Sequence, residues 1–414
     1  MLYRIITFLL SSLISIQLLF AQTFVSVDSI IENQIKKQKV SGAVAMIIYQ
    51  NKVVLDKAYG YADIASHLPM QTESIFRIAS QTKAIVSIAF LQLVELGNIG
   101  LDDPIEKYIP AFREQQVAII EKDSIKLVSK KRSITIRDLL SHQSGISSPE
   151  EYPKLKTLFS KYHLDQPLNV AFKTLKDEVD QIAKMPLAHQ PGERFSYGLS
   201  TNVVGRLIEI ISGKSLDAYL KDNIFKPLQM KDTYFYLPKY KQNRLVKVYR
   251  NIKNDSLSEI SPDMYPINYP NVENGTYYSA IGGLVSTTHD YAKFLTCLLN
   301  DGVYAKNKQL ISRLTLQQFI SNQLGDKNFI FGGIKSLNNF GLGVGLTTKQ
   351  GTILNNATEG SFFWGGAFNT AYMVDKNRKL ITLFYFQRTP FDLPPILTRL
   401  EKQAIIEIDK IKRY

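Results

Sequence analysis

Short apolar runs of strand length lie near both ends of this chain, and helical patterns fill the stretch between them. Residues 43–49 and 53–59 are two such runs, separated by the polar turn Gln50-Asn51-Lys52, which is a hairpin signature. Residues 367–374 and 379–386 flank Asp375-Lys376-Asn377 in the same way. Between the pairs, residues 78–96 read as a long, mostly apolar helix ended by Gly97. Residues 199–211 read as an apolar helix closed by Ser212-Gly213, and residues 214–228 continue with another. Residues 26–39 and 396–411 have amphipathic helical spacing. The simplest arrangement is an α/β fold of the α+β kind: one sheet built from the N- and C-terminal segments, with a helical region inserted. One domain over residues 22–414 is expected, its sheet lobe at about 22–78 and 275–414 and its helical lobe at about 79–274.

The first residues stand apart from that core. Arg4 is the only charge before an apolar run over residues 5–20, and Ala21 precedes Gln22. A short positive region, an apolar region and a small residue at a cut describe a signal peptide of residues 1–21. The alternative is a membrane anchor, but Ser11, Ser12, Ser15 and Gln17 dilute the run, which is shorter than the ~20 residues a spanning helix needs. Export to the periplasm or the medium, with no stable membrane span after cleavage, is the expectation. Cys297 is the only cysteine, so an internal disulfide is ruled out, and its apolar neighbours suggest a buried small hydrophobe. The formal net charge is +13, but the longest basic run is Lys130-Lys131-Arg132, which reads as a solvated basic surface and not a nucleic-acid site. The five histidines form no metal-ligand spacing. A Gly-x-Ser-x-Gly elbow is lacking, and Gly213-Lys214-Ser215 lacks the upstream glycine of a phosphate loop because Ile208 stands there. No metal or cofactor is implied.

Chemistry concentrates in three segments. In Ser80-Gln81-Thr82-Lys83 the serine and lysine share one face of a helix and can meet without help from the rest of the fold. A serine hydroxyl needs a nearby base to attack, and a lysine serves only when its amine is neutral, which burial promotes. The apolar setting of Ala84, Ile85, Ile88 and Ala89 suits that need and sets the pair apart from a capping serine with a solvated lysine. The second segment is Pro191-Gly192-Glu193-Arg194-Phe195-Ser196-Tyr197, where Tyr197 can present its hydroxyl to a cleft just before a helix. On spacing alone, a core tyrosine among 22 is the commoner case. The third runs from Gly360 to Asn369 and holds the only tryptophan, Trp364, beside Gly365-Gly366 at a strand start. Its glycines permit close approach of backbone to a ligand, and a backbone N–H at Ala367 can pair with that of Ser80 around an oxyanion. A β-bulge carrying a packed aromatic is compatible with the same residues.

Taken together, these segments closely resemble the class C β-lactamase-related serine hydrolases, which include DD-peptidases and carboxylesterases. Residues 76–83 look like the family's nucleophile segment, and residues 136–146 its Leu-Leu-x-His-x-Ser-Gly stretch. Gly282-Gly283-Leu284-Val285-Ser286-Thr287 with Asp290-Tyr291 matches a further shared stretch. The resemblance implies a β-lactamase/transpeptidase-like fold with an antiparallel sheet. It implies Ser80 as the acylated nucleophile, Lys83 and Tyr197 as the proton-transfer pair, and Ser80 and Ala367 N–H as the oxyanion hole. His142 looks structural in it. Two departures bear on substrate: Tyr197-Gly198-Leu199 replaces Tyr-x-Asn, and Trp364-Gly365-Gly366 replaces Lys-Thr-Gly. Leu199, Trp364, Gly365 and Gly366 are therefore the expected substrate-binding set, and polar recognition gives way to apolar surface. A small-molecule ester or amide, or a cell-wall-derived substrate, is the expected partner, with esters favoured. β-Lactam or D-Ala-D-Ala hydrolysis is the second reading, and a non-catalytic wall-fragment binder on the same scaffold the third.

Overall fold

In the computed structural model, which describes residues 24–121, 124–165, 172–252, 256–260 and 269–411, the two ends of the chain meet in one sheet. The elements that frame the site are helix α1 (Val25–Lys36), strands β1 (Gly42–Tyr49), β2 (Lys52–Asp63) and β3 (Leu68–Pro69), then helices α2 (Thr82–Glu95), α3 (Leu175–Ile182), α4 (Ser200–Ser212) and α5 (Thr288–Leu299). After them come β4 (Asn339–Phe340), β5 (Gly345–Leu346), β6 (Phe362–Gly366), β7 (Thr370–Asp375), β8 (Leu380–Tyr385) and helix α6 (Pro394–Ile411). The sheet order is β4-β5-β6-β7-β8-β1-β2-β3, antiparallel throughout. The pairing of β1 with β8, Val44 opposite Tyr385 through Tyr49 opposite Leu380, joins the two ends. The expected signal peptide, residues 1–21, lies outside the described residues.

Both faces of the central strands are covered, which is why they read as nearly continuous apolar runs rather than alternating ones. From β1, Val44, Met46 and Ile48 enter the core shared with α2, while Ala43, Ala45 and Ile47 enter a second core. From β8, Ile381, Leu383 and Tyr385 take the first side, and Leu380 and Phe384 the second. The second core is closed by Val27, Ile30 and Ile31 of α1 and Leu397, Leu400, Ala404, Ile405 and Ile408 of α6. A slip of one residue between β1 and β8 would exchange the two sets, so the register is strongly specified. Gln50 and Asn51, at φ +52° and +61°, make the two-residue hairpin turn whose twist matches the strands it joins.

Three expectations need correction. The helix expected over residues 78–96 starts later: Phe76–Arg77 is a short strand, Ala79–Gln81 a 3₁₀ turn, and α2 begins at Thr82. The middle region holds a hairpin, Gln116–Glu121 with Ser124–Ser129, as well as helices. Trp364-Gly365-Gly366 closes strand β6 instead of opening one, because Asn369 at φ +62° turns the chain back into β7. Cys297 is buried on α5, and burial pushes its thiol up to about 12, which leaves it inert as a nucleophile.

Glu401 on α6 is buried and accepts a hydrogen bond from Asn355 Nδ2 at 2.7 Å. Burial pushes its pKa up to about 7, against a smaller opposing effect of the Asn355 bond. The folded protein therefore holds this proton more tightly than the unfolded chain. Its contribution is complete below the unfolded value of about 4.3 and is lost as pH rises through about 7. Glu401→Gln keeps an acceptor for Asn355 and removes the charge. Denaturant unfolding should show the variant matching the parent near pH 4.5 and exceeding it at pH 8 by up to about 3 kcal/mol. A difference independent of pH would contradict this reading.

Candidate active site

The strand Phe76–Arg77 pairs with Val285–Ser286, and the chain then turns sharply into α2. Ala79 makes that turn at φ +48°, a left-handed conformation that costs an alanine about 1–2 kcal/mol. It is held in place by its neighbours. The Thr82 hydroxyl donates to the Ala79 carbonyl at 2.6 Å and accepts the Leu284 N–H at 3.2 Å. The next residue but one is tied to the sheet side: Tyr385 on β8 donates to Gln81 Oε1 at 2.7 Å, and Tyr291 on α5 to the Gln81 carbonyl at 2.9 Å. Burial raises both phenols well above their usual range, so both remain donors.

Ser80 stands in this 3₁₀ turn, half-buried, where residues three apart lie nearly above one another. Lys83 is 2% exposed. Its Nζ donates to Ser80 Oγ at 3.1 Å and to the Ile281 carbonyl at 2.6 Å. Ser80 Oγ in turn lies 3.4 Å from the Ile281 oxygen. Tyr197 precedes α4, and the centre of its ring is 4.7 Å from Lys83 Nζ. Gly198 allows that placement, since a Cβ there would lie 2.4 Å from the Ser147 carbonyl carbon.

Strand β6 supplies the opposite wall. A Cβ on Gly366 would lie 2.3 Å from the Ile78 carbonyl oxygen, so only glycine lets the end of β6 reach the segment that carries Ser80. Ala367 follows, exposed, in a turn pinned by Asn369. The Asn369 amide donates to the Arg388 and Pro390 carbonyls at 2.8 and 2.9 Å and accepts the Leu393 N–H at 3.0 Å. Trp364 packs 5.6 Å from the Tyr197 ring, 5.6 Å from Phe331 and 5.2 Å from Phe340. The structure therefore brings Ser80, Lys83, Tyr197, Trp364, Gly366 and Ala367 into one neighbourhood, with Gly365 between Trp364 and Gly366. Leu199 departs from the expected substrate-binding set: its buried side chain faces a small internal void with Ile146, Phe159 and Ile182. The reason is local, because the first turn of α4 packs inward there.

One neighbour carries no motif in the sequence, and another is the histidine expected to be structural. Phe331, on the hairpin Ile330–Phe331 with Ile334–Lys335, lies 5.1 Å from the Tyr197 ring. Its only sequence signal is Gly332-Gly333 after an aromatic run. His142 is fully buried with its ring 4.6 Å from that of Tyr197, and burial and the neighbouring Lys83 hold its pKa well below the usual value. Its imidazole is therefore neutral.

The beta-lactamase family model matches residues 27–404. The chain belongs to the beta-lactamase family. An uncharacterized protein of Mycobacterium tuberculosis is 29% identical over 367 residues, which cover 85% of this chain and 86% of that one. A putative D-alanyl-D-alanine carboxypeptidase of Salmonella typhi is 29% identical over 355 residues, 78% of this chain and 74% of that one. Among solved structures, EstCE1, a hydrolase with promiscuous acyltransferase activity, superposes with a TM-score of 0.79 at 20% identity, over 93% of this chain and 99% of its own. The β-lactamase/transpeptidase-like fold thus accounts for the sheet and its helices.

The contact of Gly366 with Ile78 gives a direct test of this geometry. Gly366→Ala should slow labelling of the protein by a fluorophosphonate about tenfold or more, since small misplacements near reacting groups cost that much. Labelling at the parental rate would show that this contact does not align the site.

Proposed function

We propose that this chain is an exported serine hydrolase that acts on esters, and less readily on amides, through an acyl-enzyme on Ser80. The observation that carries this reading is the 3.1 Å contact of Lys83 Nζ, at the start of an apolar helix, with Ser80 Oγ in the turn ahead of it. In the first half-reaction Ser80 Oγ bonds to the substrate carbonyl carbon while its proton passes to the Lys83 amine. The oxyanion lies against the N–H groups of Ser80 and Ala367. Collapse breaks the bond to the leaving group, which takes the proton by way of the Tyr197 hydroxyl and departs as an alcohol or amine. Water then attacks the acyl carbonyl, its proton returns through the same pair, and Ser80 is released with a carboxylic acid. An alcohol in place of water gives acyl transfer, an outcome that the name of EstCE1 supports for a relative of this fold.

Substrate choice follows from the walls. Tyr197, Phe331 and Trp364 form an aromatic surface where a cation for a substrate carboxylate is commonly found in β-lactamases and DD-peptidases. Such a surface favours neutral, apolar acyl groups, each aromatic contact adding about 0.5–1.5 kcal/mol. The partner is thus a small-molecule ester or a cell-wall-derived acyl compound, not a nucleic acid, met in the periplasm or outside the cell. A second reading, D-alanyl-D-alanine carboxypeptidase or β-lactamase activity, draws support from the name of the Salmonella typhi relative.

Two measurements decide between them. Hydrolysis of p-nitrophenyl butyrate should exceed that of nitrocefin and of a D-Ala-D-Ala peptide, and Ser80→Ala should lower it by about a thousandfold or more. Robust ester turnover by the Ser80→Ala protein would overturn the proposal, and faster nitrocefin or peptide turnover would favour the second reading. Phe331→Ala should raise KM for a phenylacetyl ester by about five- to tenfold, in line with the loss of one aromatic contact, with a smaller effect on an acetyl ester. Equal effects on both esters would remove Phe331 from acyl recognition.

A further inference from the structure

Three side chains outside the Ser80, Lys83 and Tyr197 set converge on the stretch of backbone that holds Lys83. Glu178 on α3 is fully buried. Its Oε2 accepts hydrogen bonds from Asn202 Nδ2 on α4 and from the Tyr277 hydroxyl, each at 2.6 Å. Asn202 Oδ1 accepts the Ile281 N–H at 3.0 Å. The Ile281 carbonyl is the group that takes the 2.6 Å hydrogen bond from Lys83 Nζ. Glu178 therefore grips residues 277–281 at both ends, directly at Tyr277 and through Asn202 at Ile281. Buried hydrogen bonds of this kind are electrostatically stronger than the same bonds in water. Burial and the nearby Glu178 raise the Tyr277 phenol well above its usual range, so it stays a donor.

We propose that Glu178, Asn202 and Tyr277 are positioning residues that fix the Ile281 carbonyl against Lys83 and so aim the Lys83 amine at Ser80. This rests on the reading that Lys83 takes the Ser80 proton. A neutral amine has two N–H bonds and one lone pair, and only the lone pair can accept that proton. A carbonyl held in one place binds one N–H and limits rotation of the amine, which keeps the lone pair available toward Ser80 Oγ. If the carbonyl moves, Lys83 keeps its place in the helix but loses its aim. The route from the three residues to Lys83 runs through the peptide of Ile281. Glu178 and Asn202 come from two helices and Tyr277 from a loop, and what they share is the peptide they hold.

The test uses the full chain with Asn202→Ala, Glu178→Ala, the double variant, and Glu178→Gln, whose amide oxygen can accept from both Asn202 and Tyr277. Steady-state hydrolysis of p-nitrophenyl acetate and the rate of fluorophosphonate labelling are followed beside the thermal midpoint. Each alanine variant should lose about 10- to 100-fold in kcat and in labelling rate, as misaimed groups do, with KM changed less than threefold. The double variant should be no slower than the slower single one, because the residues act as one chain. Glu178→Gln should return to within a few fold of the parent. Parental kcat in a folded Asn202→Ala protein, a loss confined to KM, or additive losses in the double variant would overturn the proposal. If the alanine variants do not fold, Tyr277→Phe carries the test: a severalfold loss of kcat at constant KM supports it, and an unchanged kcat overturns it. A parent that neither labels nor turns over ester would instead refute the Ser80 reading on which this rests.

Discussion

A lysine amine taken out of water costs free energy unless hydrogen bonds replace its hydration, and Lys83 sits in an apolar helix at 2% exposure. Much of the architecture answers that constraint. The Ile281 carbonyl, Ser80 Oγ and the face of the Tyr197 ring surround the amine. They come from the stretch after Tyr277, from the turn ahead of α2 and from the residues ahead of α4. None is local to Lys83 except Ser80. The helical lobe and the sheet must therefore dock in register before the lysine has its partners, which couples the chemistry to the fold.

The sheet ties into the same turn. Tyr385 of β8 and Tyr291 of α5 hold Gln81, and the glycine end of β6 presses on Ile78. Ala79 stores local backbone strain between these anchors, as residues beside reacting groups often do. The pairing of β1 with β8 supports all of it, because β8 lies between the strand from the N-terminal hairpin and the strands that lead to β6. Tyr385 belongs to the face of β8 that meets α2, the same face as Ile381 and Leu383.

Much of this was legible in the sequence, and the reason is periodicity. The runs at residues 43–49 and 380–386 are apolar at every position but Thr382 because both faces are buried, and α1 and α6 carry the spacing that covers one of those faces. Ser80 and Lys83 were legible because three-residue spacing puts them together in any helical turn. What stayed hidden depends on tertiary position. Nothing local marks Ala79 as left-handed, so the start of α2 was set too early. The side chain of Leu199 had no reason in its sequence to face the core instead of the cleft. Phe331 and Glu178 lie 134 and 19 residues from Tyr197, and only docking of the elements brings the first to its ring and the second to the backbone that holds Lys83. The hairpin Gln116–Glu121 with Ser124–Ser129 leaves only a weak period in the sequence, because its strands are short and Lys126 breaks the second apolar stretch.

The central claim is that Ser80 is acylated with help from Lys83. The most direct measurement is intact-protein mass spectrometry of the chain quenched during turnover of p-nitrophenyl butyrate, followed by peptide mapping of the adduct. One butyryl group per chain is expected, on the peptide that contains Ser80, and none within the same time in Lys83→Ala. An adduct on a different residue, or one that forms on Ser80 at an undiminished rate without Lys83, would contradict it.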